Sequence, residues 1–404
     1  MKILLATFGS RGDVQPMLAL SLVLQAAGHD VLLAGPPEKA EWAARWGCPY
    51  RPLGSNVTAL IDSVDRAYSF GSALTFMRFL RKDIKRQFAE LPSIIRGADM
   101  AVGASLCFGL SSVAEANGIP YRYIAFTPQL LPSRHHPFLV FKRQRLPGWC
   151  NMLGWKGTRS ADRINLTLLL NAHRRKLGLK PVKDCWAHVL GPRVIVASDR
   201  AVASIPPDSG MDAVQTGYMH LPQPGAELKA LDEFLAEGPP AVYAGFGSMP
   251  KSDQTRLAPL IVSAARMNGM RAVITRFWED GTGNGTSEKT FFIRRYPHWQ
   301  LFPRMAAVIH HGGAGTTATA AACGVPQIIV PHVLDQYYWG ERVCRARIGP
   351  RPIWRSRLTA KKLAAAISQC VSDPGIRRAA GAVSEKIRRE NGAKMTVEEL
   401  LKGV

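Results

Sequence analysis

Short apolar runs alternate with longer amphipathic segments along the first half of the chain. The pattern predicts a helix at 14–27, closed by Gly28, and strands at 3–8, 31–34, 99–103, 121–125 and 193–197. Strand–helix alternation at this spacing is typical of a parallel, doubly wound sheet. We therefore expect a Rossmann-like domain over residues 1–218.

A stretch rich in proline and glycine, 219–240, interrupts this pattern and predicts an interdomain linker. The alternation then restarts, with a helix at 253–268 and strands at 241–245, 271–275, 306–309 and 326–330. We expect a second Rossmann-like domain over 241–374, followed by a charged helix over 375–404 that packs back on the first domain. The expected fold class is α/β, with two doubly wound domains facing each other across a cleft.

The most informative segment is the glycine-rich turn HHGGAGTT at 310–317, between a predicted strand and a helix of small residues. Unpaired backbone N–H groups and the positive end of the helix dipole would bind an anion there. The glycines would let a diphosphate approach the backbone, while His310 and Thr316 could donate to its oxygens. The alternative is a tight strand–helix turn in which the threonines only cap the helix.

Two further glycine-rich turns, GSRGD at 9–13 and GFGSM at 245–249, each follow a predicted strand. Open α/β sheets bind ligands at the carboxyl ends of their strands. Three such turns in two facing domains indicate a ligand cleft. None of them has the spacing of a nucleotide-binding P-loop or of a dinucleotide-dependent oxidoreductase.

Five segments resemble, in order, the motifs of GT-B glycosyltransferases that use UDP-sugars, specifically the bacterial antibiotic and sterol glucosyltransferases. They are GSRGDVQP at 9–16, GFGSMP at 245–250, FPRMAAVIHHGGAGTT at 302–317, GVPQIIVP at 324–331 and DQYYWGERV at 335–343. The resemblance is weak between about 55 and 190. It implies two facing Rossmann-like domains and an inverting, single-displacement transfer that needs no metal or other cofactor. The sequence also contains no DxD pair to hold Mg²⁺.

The resemblance also implies roles for individual residues. Asp13 matches the position of the family's base; the alternative is that it only caps helix 14–27. Asp335 and Gln336 match the pair that binds sugar hydroxyls, and His298 matches the segment that frames the nucleobase. The expected donor-binding residues are Ser10, Arg11, Gly12, Ser248, His298, His310, Gly312, Gly313, Ala314, Gly315, Thr316, Asp335 and Gln336.

The formal net charge of +22 favours anionic partners. Residues 134–183 carry twelve Lys/Arg against one acid, and residues 342–362 carry eight against none. Segment 74–91 predicts a basic amphipathic helix with an apolar stripe of Phe76, Leu80, Ile84, Phe88 and Leu91. That stripe either packs on the core or docks on an anionic bilayer. Together with the apolar residues of 128–155, it favours a membrane-embedded acceptor. Nucleic-acid-binding motifs are absent.

The expected function is transfer of a hexose, glucose by default, from a UDP-sugar to a hydroxyl of a lipophilic acceptor such as a sterol, hopanoid or glycolipid. A dTDP-sugar-dependent enzyme for a soluble antibiotic-type aglycone and a non-catalytic nucleotide-sugar-binding protein are the alternatives. No apolar run approaches the ~20 residues of a membrane span. Seven scattered cysteines fit reduced thiols. We expect a cytoplasmic protein, with peripheral contact at the inner face of the membrane left open.

Overall fold

The computed structural model describes residues 1–57, 70–222, 225, 227–247, 251–275, 285–287, 289–294 and 296–402. These residues form two largely parallel sheets, each flanked by helices. The expected α/β class with two doubly wound sheets is therefore confirmed. Residues 278–288, a polar run rich in glycine that predicts a surface loop, lie largely outside the described residues.

The first sheet is fully parallel and contains seven strands. In chain order the elements are β1 (Lys2–Phe8), α1 (Arg11–Ala26), β2 (Asp30–Gly35), α2 (Ala40–Ala44), β3 (Tyr50–Pro52), α3 (Phe70–Ile94), β4 (Met100–Ser105), α4 (Leu110–Ala116), β5 (Tyr121–Ala125), α5 (Gly148–Asp162), α6 (Leu168–Lys176), α7 (Cys185–Leu190), β6 (Arg193–Val196) and β7 (Asp212–Gln215). The strand order is β3-β2-β1-β4-β5-β6-β7. A π-helical turn, Arg163–Thr167, joins α5 to α6.

The second sheet contains six described strands. The remaining elements are α8 (Lys229–Ala236), β8 (Ala241–Gly245), α9 (Lys251–Met267), β9 (Arg271–Thr275), β10 (Gly285–Ser287), β11 (Thr290–Ile293), α10 (His298–Leu301), β12 (Ala307–His310), α11 (Ala314–Ala322), β13 (Gln327–Ile329), α12 (Gln336–Arg345), α13 (Ala360–Ser372), α14 (Pro374–Arg388) and α15 (Gly392–Leu400). The order is β10-β11-β9-β8-β12-β13, and only the β10–β11 pair is antiparallel.

The strand orders create a switch point in each sheet, between β1 and β4 in the first and between β8 and β12 in the second. At such a point the connections that follow the two neighbouring strands run to opposite faces of the sheet. This leaves a crevice at the carboxyl ends of the strands, where a ligand can bind. Helix α1, which follows β1, contacts α11, which follows β12. The two switch points therefore meet.

The carboxyl-terminal region returns to the first domain. Helix α14 packs on α11, and α15 packs on α1 through Ala393, Val397 and Leu400. The tail predicted as one helix is thus two, separated at Arg389–Asn391. Met219 and Leu221, at the start of the expected linker, are buried in the core beside α1.

The apolar stripe of α3 belongs to the core. Leu80, Ile84, Phe88 and Leu91 are buried beneath the first sheet, and only the basic side of the helix faces solvent. Of the two interpretations of segment 74–91, core packing is therefore confirmed and bilayer docking through these residues is wrong. The physical reason is that the stripe covers a sheet that would otherwise expose one apolar face to water.

Several aromatic and apolar residues in 128–155 that the sequence suggested as exposed are also buried. They are Leu131, His136, Phe138 and Trp155. Phe138 and Trp155 meet edge to face, and the Trp155 Nε1 donates to the His136 carbonyl. None of the helices in the described residues has both the length and the hydropathy of a membrane span.

Candidate active site

Asp13 lies at the end of β1, in the first turn of α1, and its carboxylate is held from two sides. Oδ2 accepts hydrogen bonds from the Ser10 backbone N at 2.7 Å and the Ser10 Oγ at 3.1 Å. Oδ1 accepts from the Ser105 Oγ at 2.7 Å. Burial raises the pKa of Asp13, against the opposing effect of these hydrogen bonds.

The expected capping role of Asp13 changes in detail. The helix begins three residues earlier than predicted, so Ser10 is the N-cap and Asp13 closes a capping box from the third helical position. One carboxylate oxygen of Asp13 therefore caps the helix, and the other accepts the hydrogen bond from Ser105. Ser10 and Gly12 are committed to the same cap, because the Gly12 N donates to the Ser10 Oγ at 3.2 Å.

Ser105, which sequence reasoning did not identify, is the partner of Asp13 across the switch point. It ends β4 with a left-handed backbone, φ 54°, which a residue with a Cβ adopts only at an energetic cost. The Tyr123 hydroxyl donates to its carbonyl at 2.8 Å and holds it there. The signal in the sequence was weak, since Ser105 is one serine after an apolar strand.

The turn at 310–317 forms an open helix amino terminus, as expected. Gly313 is the N-cap and no side chain caps the helix; the first backbone bond runs from the Thr317 N to the Gly313 O at 3.0 Å. The N–H groups of Ala314, Gly315 and Thr316 therefore have no intrahelical acceptor. Gly312 has φ 90°, and a Cβ there would lie 2.7 Å from Ile329 Cγ2.

His310 does not reach the ligand side of this turn. It is fully buried, its Nδ1 accepts from the Gly312 N at 3.1 Å, and its Nε2 lies 3.0 Å from the Gln327 Oε1. Burial lowers the pKa of His310 to about 4, so the ring is neutral. The expected direct donation from His310 to phosphate is therefore corrected: His310 shapes the turn, because both of its nitrogens are already used.

His311 is the histidine that lies between the two glycine turns of the second domain. A Cβ built on Gly247 would lie 2.8 Å from its Cε1, and one on Gly313 would lie 2.5 Å from its Nε2. Its Nδ1 is buried and makes no hydrogen bond within the described residues. Burial lowers the pKa of His311 well below its usual value, so this ring is a neutral donor or acceptor.

Asp335 and Gln336 lie at the start of α12, and their side chains have different hydrogen-bond partners. The Trp339 Nε1 donates to the Asp335 Oδ2 at 3.1 Å. Burial, then the charge of Asp13, raises the pKa of Asp335 to about 7. The Gln336 Oε1 accepts from the backbone N of His332 at 2.8 Å and of Val333 at 3.1 Å. Gln336 therefore holds the turn before α12 with its carbonyl oxygen.

Tyr218 is a second residue that the sequence did not mark. It follows β7, its side chain is buried, and its hydroxyl makes no hydrogen bond within the described residues. A Cβ built on Gly315 would lie 2.7 Å from that hydroxyl, so the phenol points at the first turn of α11. Burial, then the charges of Asp13 and Asp199, raises the pKa of Tyr218, so it stays protonated.

A small cavity of about 10 Å³ separates Tyr218 and Asp199 from α11, close to the space that one water fills. The Asp199 Oδ1 accepts from the Tyr218 backbone N at 3.0 Å. Burial raises the pKa of Asp199 to about 7. This acid is therefore only partly ionised beside the helix amino terminus at neutral pH.

Arg11 and His298 border the site from opposite domains. The Arg11 Nε donates to the Gln15 Oε1 at 3.1 Å, and its guanidinium lies 5.0 Å from the centre of the Trp42 ring. His298 stacks on Phe302 with ring centres 4.4 Å apart. Burial, then the positive charge of Arg11, lowers the pKa of His298 to about 3.

Ser248, one of the expected donor-binding residues, lies outside the described residues. Trp299, which follows His298, packs edge-on against His220 with ring centres 4.8 Å apart. Among the residues that the structure describes, no group of three or more His, Cys, Asp or Glu side chains could hold a metal ion.

Two family models match the chain, one in each domain. Residues 3–133 match the N-terminal domain of glycosyltransferase family 28. Residues 286–403 match the C-terminal domain of erythromycin biosynthesis protein CIII-like proteins. Each match contains one half of the site described above, with Asp13 in the first and the 310–317 turn in the second.

Known proteins resemble the chain over its whole length. A vancomycin aglycone glucosyltransferase of Amycolatopsis orientalis is 36% identical over 97% of this chain and 95% of its own. A sterol 3-beta-glucosyltransferase of Arabidopsis thaliana is 30% identical over 100% of this chain and 65% of its own. The solved structure of glycosyltransferase VinC in complex with dTDP has a TM-score of 0.71 at 21% identity and covers 100% of this chain and 99% of its own. The chain is a hexosyltransferase of the GT-B family, related to antibiotic and sterol glycosyltransferases.

Proposed function

We propose that this enzyme transfers glucose from a uridine diphosphate sugar to a hydroxyl group of a lipophilic acceptor, with inversion at the anomeric carbon and without a metal ion. The main observation in support is that a helix amino terminus from one domain lies beside a carboxylate from the other. The uncapped amino terminus of α11 lies beside α1, where Ser10 and Ser105 hold the Asp13 carboxylate.

The reaction follows from these two groups. The acceptor oxygen forms a bond to the anomeric carbon, while the bond from that carbon to the β-phosphate oxygen breaks. Asp13 takes the hydroxyl proton, which needs a base because its pKa lies far above 7. Nucleoside diphosphate leaves with the bonding electron pair, and its developing charge is stabilised by the helix amino terminus. A single displacement of this kind inverts the anomeric carbon.

Donor groups converge on the place proposed for the diphosphate. The N–H groups of Ala314, Gly315 and Thr316 supply the helix end, with the Thr316 hydroxyl beside them. We assign the Nδ1 of His311 and the hydroxyl of Tyr218 as further donors. Both are buried and without a hydrogen bond within the described residues, and unsatisfied buried polar groups are costly unless a ligand completes them.

The other residues are assigned around the sugar and the nucleotide. Asp335 bonds sugar hydroxyls, and a carboxyl with a pKa of about 7 can both donate and accept there. Gln336 acts through the 332–333 turn, His298 borders the nucleobase, and Ser248 binds phosphate or ribose. Arg11 contributes charge at a distance rather than a direct contact, because its Nε bonds Gln15 and its guanidinium lies over Trp42.

Relatives named glucosyltransferases support the choice of glucose, and the sterol enzymes among them support a lipophilic acceptor. One second candidate has its own support. The relative at 36% identity acts on vancomycin aglycone, and VinC binds dTDP, which favours a dTDP-sugar and a soluble antibiotic-type aglycone. Peripheral contact with an anionic membrane belongs to the first candidate only.

A direct screen tests the function. Purified protein is incubated with UDP- and dTDP-sugars, with either a lipid extract or a panel of soluble polycyclic aglycones, and products are detected by mass. We expect a gain of one hexose on a lipid with UDP-glucose, unchanged by EDTA. A product only on the soluble aglycones supports the second candidate, and loss of turnover with chelator contradicts the metal-free mechanism.

Replacement of Asp13 by Asn tests the base. The amide keeps one oxygen for the Ser10 N but cannot take a proton, so turnover should fall by about 10²- to 10⁴-fold. Isothermal titration should show unchanged binding of UDP, and thermal unfolding should show a folded protein. Turnover close to that of the wild type would remove Asp13 from the chemistry.

Replacement of Ser105 by Ala tests how Asp13 is tuned. The Ser105 hydroxyl stabilises the Asp13 carboxylate, so its loss raises the pKa of Asp13 further. Because a base acts only when deprotonated, the acid limb of the kcat/KM profile should move to higher pH. A profile that keeps its position while activity falls would instead mean that Ser105 affects only the fold.

Replacement of Tyr218 by Phe tests the phenol donor. Loss of a hydrogen bond to a charged phosphate should weaken UDP binding by at least tenfold, measured by calorimetry. Tyr50→Phe is the matched control, because the Tyr50 hydroxyl is bonded to the Pro36 carbonyl at 2.8 Å at the far edge of the first sheet. Equal UDP affinity in the two variants would count against the role of Tyr218.

A further inference from the structure

One face of the α5–α6 segment carries large apolar side chains that nothing in the described structure covers. Trp149 is 67% exposed, Leu153 57%, Ile164 69% and Leu168 62%. Exposed apolar residues scattered singly are ordinary, but a contiguous set marks an interaction surface. We call this set, with the exposed Lys156 and Arg175, the α5–α6 stripe.

The π-helical turn aligns this stripe. Helix α5, the turn Arg163–Thr167 and α6 run without a break from Gly148 to Lys176. With about 100° per residue in the α-helical parts and roughly 80° in the turn, Trp149, Leu153, Ile164 and Leu168 fall within about 40° of one another. In an unbroken α-helix the same four would spread over about 100°.

The charges on this face have one sign. By the same geometry Lys156 and Arg175 lie within the stripe, and both are exposed. The two nearby acids have partners away from this face. The Asp162 carboxylate accepts from the Trp186 Nε1 at 2.7 Å, and Asp184 pairs with Arg159 at 3.6 Å. The apolar members of the stripe therefore extend along about 28 Å of helix, and Arg175 lies about 10 Å beyond the last of them.

The opposite face of the same segment is already occupied. Trp155, Leu166 and Leu170 are buried, and Leu166 and Leu170 belong to the core of the first domain. The exposed stripe therefore lies on the side of the segment that faces away from the core.

We infer that the α5–α6 stripe docks the enzyme on an anionic lipid bilayer. A helix with cations and exposed Trp, Leu and Ile along one face lies in the interface of such a bilayer, where lipid phosphates neutralise the cations. A second copy of this chain fits less well, because a two-fold contact would bring cations against cations. The inference deepens the proposed function, since it names the surface by which a membrane-embedded acceptor is reached.

The docking face is connected to the catalytic cleft. The chain enters α5 from the carboxyl end of β5, the same edge of the sheet that carries Asp13 and Ser105. In the loop before α5, the Arg145 Nε lies 2.9 Å from both carboxylate oxygens of Glu341, and the His136 ring contacts that of Tyr338. Glu341 and Tyr338 belong to α12, which Asp335 begins.

The test is sedimentation of the full-length enzyme with vesicles. One set contains phosphatidylcholine with phosphatidylglycerol, and the other contains phosphatidylcholine alone. We expect binding to the anionic vesicles that falls as salt is raised. The double variant Leu153→Gln/Ile164→Gln should lose at least tenfold in partitioning, while Met267→Gln, an exposed apolar residue on α9, should bind as the wild type does.

The charge arm uses Lys156→Gln/Arg175→Gln against Arg351→Gln/Lys361→Gln, a pair of exposed cations on the second domain. The first pair should weaken binding clearly more than the second. Equal effects of the two pairs, equal binding to neutral vesicles, or full binding by the Leu153/Ile164 variant would overturn the inference. A wild-type dimer that the Leu153/Ile164 variant abolishes would assign the stripe to self-association instead.

Thermal unfolding and UDP affinity are measured on every variant. The substituted side chains are exposed and none of them is assigned to the nucleotide site, so both quantities should stay unchanged. If the wild type binds UDP but not anionic vesicles, the docking inference fails and the proposed chemistry stands. If it binds vesicles but no nucleotide sugar, the proposed function fails by itself.

Discussion

The uncapped amino terminus of α11 is the feature on which the rest of the site depends. Within the described residues, three backbone N–H groups there have no intrahelical acceptor and no side-chain cap, and the helix dipole adds positive potential at the same point. A phosphate group is one of the anions that such a helix end binds. Everything else either shapes this end, as His310 and Gly312 do, or brings the other domain to it, as the contact between α1 and α11 does.

The second constraint is the electrostatic repulsion between two carboxyl groups. Asp13 and Asp335 come from different domains, yet the charge of Asp13 contributes to the raised pKa of Asp335. Two such groups resist ionising together. One of them can therefore act as a base while the other keeps a proton for a sugar hydroxyl. The hydrogen bonds from Ser10 and Ser105 favour Asp13 as the ionised member.

The lysine and arginine side chains of this protein lie in three different structural environments. The cations of α3 cover a helix whose apolar side is core, and those of 342–362 include Arg347, Arg351 and Arg357 along a groove of about 920 Å³. On α5–α6, cations share a face with four large exposed apolar side chains. Charge alone therefore does not locate a docking surface, because the burial of the neighbouring apolar residues decides what each basic helix can do.

The sequence by itself determined the two-sheet architecture and the anion turn, because strand periodicity and a glycine-rich turn before a helix are local patterns. It could not determine that both ring nitrogens of His310 are used inside the protein, that Ser105 bonds Asp13 and Tyr218 points at Gly315, or that the stripe of α3 is buried. Each of these depends on which distant segment lies opposite: Gln327 for His310, Asp13 for Ser105, Gly315 for Tyr218 and the first sheet for α3. Only tertiary structure decides such pairings, since residues far apart in the chain meet through the packing of whole elements.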